Sequence, residues 1–127
     1  GFVLYTNKEM ILFVNDCKCF GENLSEQKFD YIFIEANYDG QAIHFAYEQA
    51  KKDGDLAMIK RYERLMDSHL SIRHTCDHLK QMDLSRCKGI FLMHLSDRNA
   101  NPNLFKQRVR DQFGKPCFVC RKGGGIL

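Results

Sequence analysis

The sequence has no run of apolar residues approaching the length that crosses a bilayer, so no membrane span is expected. It also has no charged-then-apolar leader. It opens directly on the strand-like Phe2-Val3-Leu4-Tyr5, and so abrupt a start is what a missing upstream segment would leave. Prolines number only two, Pro102 and Pro116, and no linker composition interrupts the chain. One domain over residues 1–127, without a long repeat, is therefore expected. No glycine-rich phosphate loop and no Ser-His-Asp grouping stands out, which argues against both as the source of any activity. What is present is ample for a core: 44% of the 127 residues are hydrophobic, among them ten Phe and five Tyr.

Six cysteines (Cys17, Cys19, Cys76, Cys87, Cys117 and Cys120) lie scattered through regular-looking elements, and a chain with this core needs no disulfide staples. Cys117 and Cys120 form a CxxC, but Pro116-Cys117-Phe118-Val119-Cys120 reads as a strand, where positions i and i+3 face opposite ways. A zinc knuckle needs a turn there and a second ligand pair, which the sequence does not offer. Reduced thiols and a cytoplasmic location are the expectation. The net charge is only +3, yet Arg98 to Lys122 holds seven basic residues and one acid, Asp111. That end suits an anionic partner, although a solvated helix face explains it about as well.

The hydrophobic period predicts an α/β layer. Phe2–Tyr5 and Met10–Val14 form a hairpin around Asn7-Lys8. Tyr31-Ile32-Phe33-Ile34 is a continuous apolar run, the mark of a strand covered on both faces. A helical stripe (Ala42, Ile43, Ala46, Tyr47, Ala50) stops at Asp53-Gly54, and Leu56, Ile59, Tyr62, Leu65 and Met66 mark a second. Ser71 caps a third helix that buries Ile72, Cys76 and Leu79. Another buried strand, Ile90–Met93, follows Gly89. Asn101-Pro102 then starts a helix that Gly114 stops, before a last strand, Pro116–Cys120, and a frayed Gly123–Gly125 tail.

Three of these strands end in residues suited to chemistry: Asn15-Asp16, Glu35-Ala36-Asn37-Tyr38-Asp39, and His94-Leu95-Ser96-Asp97. Ligands collect at that edge of α/β sheets. His69, just ahead of the third helix, can join them, and two carboxylates with two histidines suit a divalent metal beside a proton donor. Taken singly, each has a plainer explanation, since a histidine at a strand end is more often hydrogen-bonded structure and Asp39-Gly40 is a turn. The pair His74 and His78 has the helical spacing of zinc proteases. Thr75 stands where their general base would be, and His74 falls on the solvent side.

The blocks Phe33–Asp39, Ser68-His69-Leu70-Ser71 and Met93–Pro102, with His-Leu-Ser occurring twice, closely resemble the C-terminal half of metallo-β-lactamase superfamily proteins. The nearest branch holds tRNA 3′-end processing endonucleases, DNA exonuclease-like members and phage cyclic-nucleotide phosphodiesterases. This resemblance implies half of an αββα sandwich, a mixed sheet with helices on one face and the other face bare unless an N-terminal half or another subunit covers it, and two divalent metals in the intact enzyme, zinc or alternatively manganese. It implies that Asp16 bridges the metals, that His94 ligates one, and that His69 acts on the leaving oxygen. Glu35, Asn37, Ser71 and Ser96 would buttress them. Departures are plain: Cys17-Lys18 follow Asp16 where the family has Thr or Ser and Gly, and Ser68 replaces Gly before the first His-Leu-Ser. No His-x-His occurs anywhere, so the His-x-His-x-Asp-His block that supplies most ligands is missing.

The sequence thus points to part of a phosphodiesterase or nuclease acting on nucleic acid or a cyclic nucleotide. The missing ligands would come from an N-terminal half or a second subunit. A non-catalytic phosphate- or nucleotide-binding module, or a subunit of a split enzyme, is the alternative. The helices over 41–66 are longer than the link from Asp39 to His69 requires and have apolar surface to spare, so a homo-oligomer contact or a lid over the site is expected there. Leu65→Glu should therefore change either the sedimentation behaviour or the activity of the full enzyme. A monomer before and after the substitution, with activity unchanged, excludes both roles.

Overall fold

The computed structural model describes residues 1–15 and 24–127. Strands β1 (Phe2–Tyr5), β2 (Met10–Val14), β3 (Tyr31–Glu35), β4 (Gly89–Met93) and β5 (Cys117–Val119) form one sheet in that spatial order. β1 is antiparallel to β2, and the remaining pairs are parallel. Between them lie α1 (Gly40–Asp53), α2 (Leu56–Ser68) and α3 (Ile72–Lys80), then α4 (Pro102–Phe113). The described residues are thus α/β, with a mixed five-stranded sheet and four α-helices.

Local chemistry sets the boundaries. Thr6 closes the β1–β2 hairpin, its Oγ1 accepting from the Glu9 N–H at 2.9 Å. Asp39 caps α1 by accepting from the N–H groups of Gln41 and Ala42, and Ser71 caps α3 through the His74 N–H. Helix α4 carries Pro102 in its first turn behind the Asn101 cap. Gly54 and Gly114 end α1 and α4 at φ 68° and 65°, the left-handed region that glycine enters without steric cost.

One face of the sheet holds the core. Leu12, Val14, Ile32, Ile34, Ile90, Leu92 and Val119 pack against Ile72, Cys76 and Leu79 of α3 and Phe105 and Val109 of α4. Helices on one face therefore describes α3 and α4 only. Helices α1 and α2 pack chiefly on each other, in an excursion that leaves after β3 and returns at Ser71, which bridges to Tyr38.

The opposite face is left uncovered, as expected for half a sandwich, and not covered as the apolar run Tyr31–Ile34 alone suggests. β3 and β4 alternate between buried and half-exposed residues instead of being covered on both sides. Their runs look continuous because the second face is aromatic. Phe2, Phe13, Phe33, Phe91 and Phe118 sit in register across all five strands, with neighbouring ring centroids 4.7, 4.7, 4.4 and 5.2 Å apart. Each such pair adds about 0.5–1.5 kcal/mol beyond its buried area.

The chain end is also more ordered than a frayed tail. Leu127 donates its N–H to Val119, and Cys120 bridges to Ile126. Cys76, Cys87, Cys117 and Cys120 are free thiols, and burial pushes Cys117 up to about 12, which disfavours the thiolate that a zinc knuckle uses. Cys17 and Cys19 lie outside the described residues.

The edge opposite the strands' carboxyl ends is tied by Asp30, which is almost fully buried. Its carboxylate accepts from the Met10 N–H at 2.8 Å and from Arg86 Nε at 3.2 Å. The Met10 bond and the Arg86 charge hold its pKa below the usual carboxylate range, against the opposing effect of burial. A depressed folded pKa adds stability that is present above the unfolded aspartate value and lost as pH falls through the folded one. Asp30→Asn should lower the melting temperature near neutrality and flatten its decline on acidification. An acid limb as steep as that of the parent would refute this.

Candidate metal centre

The site is built on the extension of β3. Beyond Glu35 backbone hydrogen bonds tie each His-Leu-Ser block to the residues that follow β3. The Asn37 N–H donates to the Leu70 carbonyl at 2.8 Å, while the Asn37 carbonyl accepts from the Ser96 N–H at 2.8 Å. On the first side the Ile72 N–H also reaches the Tyr38 carbonyl, and on the second the Ala36 N–H reaches Met93. The repeated tripeptide thus occupies equivalent places flanking one strand end.

The result is that both histidines meet Glu35. Oε1 of Glu35, a side chain with no exposed surface, lies 2.7 Å from Nδ1 of His69 and 2.9 Å from Nδ1 of His94. The rings meet edge to face, with centroids 5.0 Å apart. When each neutral ring donates its Nδ1–H to the carboxylate, the lone pair is placed on Nε2.

The support around the trio is specific. His94 has φ 59°, a left-handed conformation that non-glycine residues seldom adopt, at a cost of about 1–3 kcal/mol. Asn37 holds it there by donating from Nδ2 to the His94 carbonyl at 2.7 Å. Thr75 Oγ1 donates to the Glu35 carbonyl and so fixes the backbone that carries the carboxylate. Burial, with the Glu35 charge adding to it, pushes the Tyr38 phenol up, which keeps it neutral beside the site.

The expected site residues separate into three groups. Glu35, His69 and His94 come together, and Asn37 supports them from below. Ser71 and Ser96 hold the backbone that follows each histidine, Ser71 as the α3 cap and Ser96 by accepting from the N–H groups of Arg98 and Asn99. Asp16 lies outside the described residues. Sequence reasoning weighed Thr75 only against the zinc-protease spacing and missed its bond to Glu35; its one local signal is a polar residue inside the apolar stripe Ile72, Cys76, Leu79. His74 stays exposed and pairs with the Ser71 hydroxyl at 3.1 Å, apart from the trio.

A cavity of about 550 Å³ opens over the histidines. Helix α2 forms one wall, and its carboxyl end falls at His69, so the helix dipole favours positive charge there. Among the described residues, Glu35, His69 and His94 are the group of three whose donor atoms lie close enough, all within 4.8 Å, to hold one ion. With Glu35 accepting from both Nδ1–H groups, the imidazole Nε2 atoms are what remains for a metal, and a three-ligand zinc site then needs a donor beyond the trio. A second metal would require ligands beyond these three. No family model, no curated protein and no solved structure matches this chain.

Proposed function

We propose that the chain is part of a metal-dependent phosphodiesterase of the metallo-β-lactamase kind, which draws further metal ligands from an N-terminal half or a second subunit. The observation that carries this reading is the single buried carboxylate oxygen shared by two histidines at the sheet's carboxyl rim.

A second feature agrees with it. Side chains alternate along β3, so Glu35 lies on the same side as Tyr31 and Phe33, the side of the half-exposed phenylalanine ladder. The sheet face without a cover and the metal trio without its remaining ligands are therefore on one side. A single partner layer could cover the rings and complete the site.

A divalent ion held through His94, together with ligands from beyond these residues, would supply Lewis-acid polarisation of a phosphoryl oxygen and activation of water. The remaining roles belong to the chain's own residues. Glu35 fixes both imidazole tautomers and offsets positive charge on either ring. His94, pinned by its backbone conformation and by Asn37, is the better-fixed ligand. His69 at the end of α2 presents a nitrogen that holds a proton for the departing oxygen. Asp16 is the expected bridge between two metals.

The alternative, a phosphate-binding module without hydrolysis, draws on the basic cavity wall alone. Zinc titration of the 127-residue chain separates the two. Weak binding without hydrolysis of a bis-aryl phosphate by this chain, rising to tight binding and turnover when the His-x-His-x-Asp-His part is supplied, is the expected result. Tight stoichiometric zinc with turnover in the chain alone overturns the need for a partner. Binding of phosphate with no metal under either condition favours the module.

In the complete enzyme the two histidines should separate. His94→Ala should lower metal content and activity together. His69→Ala should leave metal content intact and reduce the turnover number by about a hundred- to ten-thousand-fold. Metal analysis by mass spectrometry alongside steady-state kinetics reads both. A metal lost from His69→Ala, or near-normal turnover, contradicts the assigned division.

A further inference from the structure

We infer that α2 is the strand-holding arm of the site, and that the substrate is a single-stranded polynucleotide whose flanking phosphates lie on Arg61 and Arg64 with a base on Tyr62. This rests on the phosphodiesterase reading above and narrows its substrate. The cavity over the histidines is lined by Arg61, Arg64, Arg98 and Lys122 and by one acid, Asp97. Four positive charges against one negative leave three in excess on its walls, counting histidine as neutral.

The single acid is already engaged, since Lys122 Nζ lies 2.9 Å from Asp97 Oδ2. Among the described residues no salt bridge is found to Arg61, Arg64 or Arg98, although Arg64 also borders Glu63 and Asp67 on the other side of the helix wall. Glu63, which lies between Tyr62 and Arg64 in sequence, accepts instead from the Tyr47 hydroxyl at 2.9 Å. Three guanidiniums around one cavity, without a salt bridge among the described residues, repel each other, and an anion that bridges them relieves this.

Their order along α2 decides in favour of a strand over a single phosphate. Positions 61, 64 and 68 fall on one helix face, and the helix then delivers His69 as its C-cap. At 1.5 Å per residue, Arg64 lies about 7 Å and Arg61 about 12 Å along the axis from His69. A cyclic mononucleotide held at His69 and His94 has no second phosphate to place so far away, whereas a polynucleotide does. Tyr62 lines the same cavity between the two arginines and is half-exposed, so its ring can stack on a base. This alternation of basic and aromatic positions is how single strands are held without regard to sequence.

The test is fluorescence anisotropy of short labelled oligouridylate and oligothymidylate strands on the 127-residue chain, across a salt series. Arg61→Ala/Arg64→Ala should weaken binding at least about tenfold at low salt and reduce the slope of log affinity against log salt by about 1.4, or 0.7 for each lost phosphate contact. Lys51→Ala/Lys52→Ala on α1, which removes the same charge away from the cavity, should leave the slope unchanged. Tyr62→Ala should weaken binding and Tyr62→Phe restore it. Binding of either strand supports the inference, and the preferred one names the sugar.

Affinity within twofold of the parent in the double arginine variant, or a mononucleotide bound as tightly as a strand, overturns it. So does equal loss in the α1 control. Zinc titration of the same samples keeps the two readings apart. A chain that binds zinc but ignores these substitutions retains the metal site and loses the strand arm. A chain that binds strands through α2 but never binds zinc does the opposite.

Discussion

A carboxylate with no exposed surface must be compensated, and Glu35 is compensated by two imidazole N–H groups converging on one oxygen. Most other features of the carboxyl rim follow from that requirement. His69 and His94 lie 25 positions apart in the chain, so two loops must reach the same point from opposite sides of β3. The backbone bonds of Asn37 to Leu70 and to Ser96 hold those loops in place. The left-handed turn at His94 aims one ring inward, and Asn37 offsets its cost. Breaking a buried charge pair by removing one partner costs several kcal/mol, so the trio couples the site to the stability of the rim.

The sheet carries a second constraint, on its other side. One face is closed by α3 and α4 and accounts for the core. The other displays a five-ring ladder whose members remain partly exposed, Phe2 most of all at 62%. Stacking along the ladder stabilises strand pairing but leaves a broad apolar band in contact with water. Polar residues would have cost less on a face meant for solvent. The aromatic choice fits a face that is covered during function, and the Glu35 trio lies at the end of that same face.

Much of this was legible in the sequence, for physical reasons. The caps at Asp39, Ser71 and Asn101, and the glycine stops at Gly54 and Gly114, are local signals that need no tertiary information. The gathering of Glu35, His69 and His94 followed from strand ends and from the repeated His-Leu-Ser blocks. The apolar runs of β3 and β4 did not by themselves reveal one-sided burial, because such a run reads the same whether its second face meets a helix or lies open, and the bare face was legible only through the resemblance to half of a sandwich. Glu35 as the common acceptor of both histidines was equally hidden. Sequence spacing places a carboxylate at the rim but does not say which hydrogen bonds it accepts. The Thr75 bond was overlooked because its partner, the Glu35 carbonyl, is 40 residues away.

The electrostatics of the rim have two signs at close range, and that pairing is what phosphodiester chemistry asks for. Glu35 and the carbonyl end of α2 make the floor of the cavity attractive to a cation. Arg61, Arg64 and Arg98 make its walls attractive to an anion. Arg61 and Arg64 stand off along α2 and Arg98 in the turn after β4, and none of them closes an ion pair with Glu35 among the described residues. A purely structural ion-pair network would have closed these charges on each other, as Arg86 closes on Asp30 at the far edge of the same sheet. Keeping them apart costs stability through mutual repulsion of the cations, a cost that the proposed metal and phosphate chain would recover by occupying the space between them.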